Sequence, residues 1–430
     1  MRLLNTMLRR FVRTGSLHII DPEGTHHTYG GTPGPEVTVR LRSPKLARTL
    51  FFNPELRAGE AYVDGSLAIE QGTIRDLLTI FALNRSNLRA QPLQRSLRRA
   101  YKAIRSLHQR NTIGRSRENV AHHYDLSNEL YRLFLDEELH YSCAYFRTPE
   151  DSLEKAQQNK LRHIAAKLAL QPGQRVLDIG SGWGGMAFFL AEHAKVDVLG
   201  ITLSKDQHAL ATGLASERGL AGRVRFELAD YRAVGGRFDR IVSVGMFEHV
   251  GVGNYRAFFA KLADLLTPDG VALIHSIGRA GGPGATSPWF RKYIFPGSYV
   301  PALSEVQVAV EECGLWVTDL EILRRHYAQT LLAWDSRFQR NRHRIAALLD
   351  ERFCRMWEFY LIAAEMGFRY GKQMVFQLQL AKSLDALPIT RDYMAEAEAR
   401  LGVPVMKGAL PGGGGHAAAS AGALAPLLRE

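Results

Sequence analysis

Residues 175–185 read Arg175-Val-Leu-Asp178-Ile179-Gly180-Ser181-Gly182-Trp183-Gly184-Gly185, an apolar run that ends beside an acid and breaks into glycines. A turn signal, Gln171-Pro172-Gly173, precedes it. The run predicts a strand, and the glycines predict a loop whose backbone approaches a ligand closely before the next helix begins. Four more short apolar runs follow, Val196 to Ile201, Arg223 to Leu228, Arg240 to Val244 and Val271 to His275, each separated by a helical or turn-rich stretch. Such alternation predicts a parallel, doubly wound α/β sheet. Ligands on these sheets bind outside the carboxyl ends of the strands, so the functional residues are expected at those five ends.

Gly180, Gly182 and Gly185 also satisfy the G-x-G-x-x-G spacing of dinucleotide sites. A nicotinamide site wants an acid about 20 residues on to hold the ribose. Here the second strand ends in Gly200-Ile-Thr202-Leu203-Ser204-Lys205, with no acid until Asp206. Asp178, two residues before the first glycine, instead resembles the first motif of class I methyltransferases, whose sheet binds S-adenosylmethionine.

The chain has 430 residues, 46% apolar and 23% charged, a composition that excludes disorder, collagen and coiled coil as whole-chain readings. Cys143, Cys313 and Cys354 are too few and too scattered for a disulfide framework or a zinc cluster, and fit a reducing compartment. No stretch of 18 apolar residues predicts a spanning helix. Arginines 2, 9, 10 and 13 interrupt any signal-peptide core in Met1 to Ser16. The net charge of +12 is local: residues 1–120 hold 20 Lys/Arg and 9 Asp/Glu, a net of +11, which leaves +1 for the rest. Between Leu77 and Arg117 lie ten basic residues and no acid. Within that block Leu93, Leu97, Ala100, Tyr101, Ile104 and Leu107 keep helical spacing, which predicts a basic amphipathic helix suited to anionic lipid, nucleic acid or an acidic partner. The expected organisation is an N-terminal unit (residues 1–92), a basic helical linker (93–118), a catalytic unit (119–402) and a flexible Gly/Ala-rich tail (403–430). The N-terminal unit contains a turn-rich Asp21 to Pro35 and an amphipathic run from Thr73 to Leu83. Thr330 to Phe376 reads as helical, with Trp334, Phe338, Phe353, Trp357 and Tyr360 as core.

Three segments bring chemically capable groups to the strand ends or just before the sheet: Tyr141-Ser-Cys143-Ala-Tyr-Phe146, Gly245-Met-Phe-Glu248-His249-Val-Gly251, and Ile274-His275-Ser-Ile277-Gly278. Singly, Cys143 reads as a small buried hydrophobe, Glu248 as a helix-start carboxylate and His275 as a satisfied core histidine. Together with His122 to Asn128, Gly200 to Ser204 with Gln207, Phe238 to Gly251, Lys292 to Pro296, and Tyr327 in His326 to Trp334, they closely resemble the cyclopropane-fatty-acyl-phospholipid synthase family. That family includes the mycolic acid cyclopropane synthases and related lipid methyltransferases. Gly59-Glu-Ala-Tyr-Val-Asp-Gly-Ser-Leu67 is similar to the family's smaller lipid-engaging domain. Ser181 stands where relatives often have cysteine, in a loop that works through its backbone.

The resemblance implies a class I methyltransferase sheet, doubly wound and mostly parallel, with a smaller N-terminal α+β lipid-binding domain. It implies a methyl-donor site from Tyr141, Ser142, Asp178, Gly180, Gly182, Thr202, Leu203 and Gln207, with Tyr231 and Arg232 near the adenine. It also implies a bicarbonate ion held by Cys143, Glu248, His275, the backbone N–H of Ile277, and Tyr327. The implied reaction transfers a methylene group from S-adenosylmethionine to the cis double bond of an unsaturated phospholipid acyl chain, and bicarbonate takes the proton that the intermediate cation must lose before the ring closes. Two alternatives stand beside it. One is a lipid olefin C-methyltransferase that forms no ring. The other is a nucleic-acid methyltransferase, which the ten unopposed basic residues would suit, although the chain has Met-Phe-Glu-His where such enzymes carry an Asn/Asp-Pro-Pro-Tyr type motif. The expected setting is the cytoplasmic face of an anionic phospholipid membrane, peripherally bound, as a homodimer and without nucleic acid.

Overall fold

The computed structural model describes residues 1–90 and 127–401, with the backbone alone for 88–90. The basic helix expected at 93–107, the linker at 93–118 and the tail at 403–430 lie outside the described residues.

The N-terminal unit runs α1 (Arg2–Phe11), β1 (Thr14–Ile20), β2 (His26–Gly30), β3 (Thr32–Leu41), α2 (Pro44–Phe52), α3 (Pro54–Asp64), β4 (Leu67–Gln71), α4 (Ile74–Leu83) and α5 (Arg85–Ala90). Its strands form a mixed sheet in the order β2-β1-β3-β4, with β1 parallel to β3 and the outer pairs antiparallel. The turn-rich reading of Asp21 to Pro35 was too broad, since β2 and the start of β3 occupy much of it. The exposed, half-polar His26–Gly30 gives no apolar alternation to announce a strand. Thr73 starts α4 as a capping box: its hydroxyl accepts from the Asp76 N–H (3.1 Å) and the Asp76 carboxylate accepts from the Thr73 N–H (2.8 Å). Leu4, Met7, Leu8 and Phe11 of α1 are buried in this unit's core.

The second unit runs α6 (Asn128–Arg132), α7 (Leu153–Lys167), β5 (Arg175–Ile179), α8 (Gly185–Ala194), β6 (Asp197–Thr202), α9 (Lys205–Glu217), β7 (Val224–Leu228), β8 (Phe238–Val244), α10 (Tyr255–Leu265), β9 (Leu266–Arg279), α11 (Pro288–Tyr293), α12 (Leu303–Glu311), β10 (Trp316–Leu323), α13 (His326–Arg340), α14 (Arg342–Leu348), α15 (Glu351–Arg369), β11 (Gln373–Ala381) and α16 (Asp392–Arg400). The sheet order is β10-β11-β9-β8-β5-β6-β7. Neighbours from β9 through β7 are parallel, and β11 is antiparallel to both of its neighbours. The order turns back at β5, so the mouth between β5 and β8 is the switch point where such sheets bind ligands. The five expected strands are present. The helical reading of Thr330 to Phe376 holds only to Arg369; from Gln373 the chain enters β11. β11 reads Gln-Met-Val-Phe-Gln-Leu-Gln-Leu-Ala and is buried on both faces, and its polar–apolar alternation, Phe376 to Leu380, begins only where the helical run was taken to end.

The two units share one continuous apolar core, in which Trp289, Trp334 and Trp357 are fully buried. Gly59 of α3 is a close-approach position, since a Cβ there would overlap the Trp289 indole. Around that contact runs a belt of polar bonds. Tyr62 donates to Glu358 (2.8 Å), Lys292 and Tyr293 both donate to Glu60 (2.6 and 2.8 Å), and Arg355 donates to the Val63 carbonyl (3.0 Å).

Candidate active site

The glycine loop is tied down before it reaches any ligand. The Gly180 and Ser181 N–H groups both donate to the Ile201 carbonyl (2.9 and 3.0 Å), which fastens the end of β5 to the end of β6. Gly180, Gly182 and Gly184 have φ of 83°, 55° and 93°, the left-handed region that favours glycine. At Gly182 a Cβ would meet nothing within 4 Å, so the backbone there faces open space.

That space is a cavity of about 160 Å³. All ten expected donor-site residues line it: Tyr141, Ser142, Asp178, Gly180, Gly182, Thr202, Leu203, Gln207, Tyr231 and Arg232. Thr202 donates its hydroxyl proton to Gln207 Oε1 (2.8 Å), and Arg232 pairs with Asp230 (2.7 Å), so both walls are braced from within. Asp178 is buried, one carboxylate oxygen has no partner among the described residues, and desolvation pushes its carboxyl up to about 7 despite the nearby Lys160 charge. Open glycine backbone, aromatic and polar side walls and an unpartnered buried acid suit an elongated, partly cationic ligand, and so fit S-adenosylmethionine.

A second, larger cavity of about 540 Å³ adjoins the first across a wall of Tyr141, Ser142, Gly245 and His249, which line both. All five of the remaining expected residues, Cys143, Glu248, His275, Ile277 and Tyr327, face it. The fold brings them together through the ends of β8 and β9. The Gly245 N–H donates to the His275 carbonyl (2.9 Å), and Glu248 sits in the 3-10 turn Phe247–His249 that follows. The Cys143 segment is held from α7 and α13: Gln157 Nε2 donates to the carbonyls of His140 (3.3 Å) and Ser142 (3.1 Å), and the Ala144 N–H donates to Thr330 Oγ1 (3.0 Å). Tyr327 lies one turn before Thr330 on the same helix.

The electrostatics of this second group are those of a dry site. Desolvation pushes the Glu248 carboxyl up to about 7, against the Ile277 N–H that stabilises its anion. Burial pushes His275 down to about 3 and His249 down to about 4, so both rings are neutral, and pushes the Cys143 thiol well up, so it is a thiol rather than a thiolate. Gln377 Nε2 lies 3.2 Å from His275 Nδ1; with the amide as donor, Nδ1 accepts and the proton sits on Nε2. Among the described residues, that Nε2 and Glu248 Oε2 are both buried without a partner. Two orphaned polar atoms, with a thiol and a phenol on the same cavity wall, are a donor set that fits a small oxyanion. One expectation changes here: the Ile277 N–H donates to Glu248 Oε1 (2.6 Å), so it fixes the carboxylate.

Toward the N-terminal unit the larger cavity is walled by Leu77, Leu78, Phe81 and Ala82 of α4, opposite Trp289, Phe290, Phe359 and Tyr360. Sequence reasoning missed three contributors. Tyr360, read as core, bonds to Tyr141 through their hydroxyls (2.7 Å) and lines the cavity. Gln377, which sets the His275 tautomer, lies on β11 just beyond the run read as helix. Lys160, buried inside α7, lines the smaller cavity, and no local motif marks it.

A family model described as mycolic acid cyclopropane synthetase matches residues 111–378. A probable fatty acid methyltransferase of Pseudomonas putida is 36% identical over 375 residues, which is 84% of this chain and 92% of that one. The cyclopropane-fatty-acyl-phospholipid synthase of Escherichia coli K12 is 36% identical over 352 residues, 81% of this chain and 88% of that one. Among solved structures, a mycolic acid cyclopropane synthase complexed with SAH and CTAB aligns with a TM-score of 0.59 at 36% identity, covering 62% of this chain and 98% of that one. Sheet order, glycine cradle and sequence agree: the chain belongs to the mycolic acid cyclopropane synthetase family and has the fold of the S-adenosylmethionine-dependent methyltransferases.

Proposed function

We propose that this protein transfers a methylene group from S-adenosylmethionine to the cis double bond of unsaturated acyl chains in membrane phospholipids, forming cyclopropane acyl chains. The observation that carries this reading is the meeting of two unlike cavities at one wall, a glycine-cradled polar one and a larger apolar one with buried acid-base groups at the junction. When bound, S-adenosylmethionine supplies an electrophilic methyl group. Tyr141, Ser142, Gly245 and His249 form the wall across which that methyl must meet the olefin. The apolar faces of α4, α11 and α15 exclude water and hold the acyl chain extended, because an unactivated double bond attacks only when aligned and desolvated. The ring of Tyr327 faces the same space and can stabilise the cation formed by attack. Cys143, Glu248, His275 and Tyr327 would hold bicarbonate, a base that is not itself alkylated, while the Ile277 N–H keeps Glu248 in place.

Mass spectrometry of unsaturated phospholipid vesicles incubated with the protein and S-adenosylmethionine tests the reading. A gain of one CH₂ with loss of the double bond is expected. Unaltered acyl chains would overturn it. A gain of CH₂ with the double bond retained would favour methylation without ring closure, the reading suggested by the relative named as a fatty acid methyltransferase.

Membrane attachment through the basic N-terminal region belongs to the same proposal. Among the described residues no helix is long and apolar enough to cross a membrane. The +11 of residues 1–120 suits an anionic bilayer, where each basic residue near the surface gives about 1 kcal/mol. Binding to phosphatidylglycerol vesicles is expected to weaken as salt is raised, with binding to neutral vesicles little changed. Salt-insensitive binding would remove the electrostatic anchor. We also propose a homodimer, for which light scattering should give twice the 48.1 kDa chain mass.

A further inference from the structure

Two basic side chains, Arg279 and Lys372, line the larger cavity at the ends of the strands that carry His275 and Gln377. In the ladder of β9 and β11, His275 lies opposite Gln377, Ile277 opposite Val375 and Arg279 opposite Gln373. His275, Ile277 and Arg279 are alternate residues of β9, so their side chains leave the same face of the sheet, and all three line the cavity. Arg279 is four residues along the strand from His275, a distance of about 13 Å. Lys372 joins it just past the strand ends, where its carbonyl accepts from the Ala280 N–H (2.9 Å).

Both cations are held against the glycine-rich loop that follows β9, Ala280-Gly-Gly-Pro-Gly-Ala-Thr-Ser287. A Cβ on Gly284 would overlap the Arg279 guanidinium, and one on Gly281 would press on the Lys372 stem at 3.3 Å. Arg279 also donates its Nε–H to the Val300 carbonyl (2.9 Å) and lies over the Tyr299 ring (5.3 Å), so its guanidinium is positioned before any ligand arrives. Lys372 is exposed, and among the described residues its side chain has no hydrogen bond or ion pair. The acids that line this cavity are Glu248, at the chemistry, and Glu55, on α3 of the N-terminal unit. Two cations against a glycine loop, at the end of an apolar cavity, suit an anion attached to a long chain. Arginine, lysine and loop backbone together are groups that recognise phosphate oxygens. In the proposed substrate that anion is the phosphodiester. The spacing along β9 is on the scale of the stretch between a phospholipid's headgroup and the middle of its acyl chain.

We propose that Arg279 and Lys372, seated against the 280–287 loop, bind the phosphodiester of the phospholipid substrate, so that β9 acts as a ruler presenting the middle of the acyl chain to His275 and Glu248. This rests on the lipid reading of the larger cavity. It also gives the protein a preference for double-bond position. Bonds close to the ester stop short of the reacting groups, and bonds close to the methyl end pass beyond them.

Turnover in uncharged detergent micelles separates a headgroup seat from attraction to a charged surface. Dioleoylphosphatidylcholine and the matching diacylglycerol offer the same acyl chains with and without the phosphodiester. The wild type is expected to use the phospholipid with a kcat/KM about 10- to 100-fold higher. Arg279→Met combined with Lys372→Met should lose that preference, its phospholipid rate falling toward the diacylglycerol rate. Retained preference in the double variant, or equal slowing on both lipids, would overturn the proposal. Equal rates of the wild type on both lipids would overturn it without any variant, so a variant that failed to fold would not shelter it. Inorganic phosphate that raised diacylglycerol turnover to the phospholipid rate would assign the basic pair to free phosphate, and would also overturn it. If neither lipid gained a CH₂, the cyclopropanation reading itself would fall.

Discussion

Glu248→Gln is expected to lower turnover on unsaturated phospholipid by about 10²- to 10⁴-fold while leaving S-adenosylhomocysteine affinity nearly unchanged. The substitution is close to isosteric, and its amide oxygen still accepts from the Ile277 N–H that now bonds Glu248 Oε1 at 2.6 Å. The 3-10 turn after β8 should therefore survive, and the melting temperature should move little. What disappears is the second oxygen, buried without a partner among the described residues, on a side chain that lines the larger cavity. Its carboxyl, pushed up to about 7 by burial, can take or give a proton near neutrality, whereas an amide cannot. Turnover of labelled methyl donor on vesicles is the measurement, and wild-type rates in the variant would take Glu248 out of the chemistry.

Arg75→Met is expected to destabilise the folded chain by about 3 kcal/mol, measured by denaturant unfolding. Arg75 projects from α4 of the N-terminal unit into the second unit, where it bonds Asp335 (2.7 Å) and Glu365. Those carboxylate side chains are 9% and 2% exposed. Removing the guanidinium leaves two buried anions partly compensated by Arg369 at Glu365 (2.8 Å) and by the neutral amide of Gln339 at Asp335 (3.1 Å). A second change, Glu365→Gln, should recover part of the loss because it withdraws one of the stranded charges. Limited proteolysis should cut the N-terminal unit sooner in Arg75→Met. Since α4 walls the larger cavity, activity on acyl chains should fall further than donor affinity does. A loss of stability under about 1 kcal/mol would mean the belt of polar bonds is redundant around Trp289.

The strands of the central sheet and the glycine loop were legible because their signals are local. An apolar run bounded by turns, and glycines where φ must be positive, state their structure within a dozen residues. β11 was not legible. Its polar–apolar alternation, Phe376-Gln-Leu-Gln-Leu380, starts only at the last residue of the run taken as helical, and the strand follows directly on α15 with only three residues between. β2 was missed for a different reason, having almost no buried face to pattern it. At the site, the ten residues expected around the donor and the five expected at the chemistry fall on two adjoining cavities, because the motifs that carry them sit at strand ends that the sheet order makes neighbours.

By itself the sequence determined the type of sheet, the place of the ligand cradle, the side chains brought to its rim, and the concentration of charge in the first 120 residues. These depend on residue type and short spacing, which a chain carries before it folds. The tertiary structure decided what each group does there. It made His275 a neutral donor through Gln377, directed the Ile277 amide to Glu248, and buried Lys160 against the Ser142 hydroxyl. It also closed the acyl cavity with a helix about 60 residues before the nearest site residue in the chain. Those properties arise from desolvation and from contacts between residues distant in sequence, and neither exists until the two units pack.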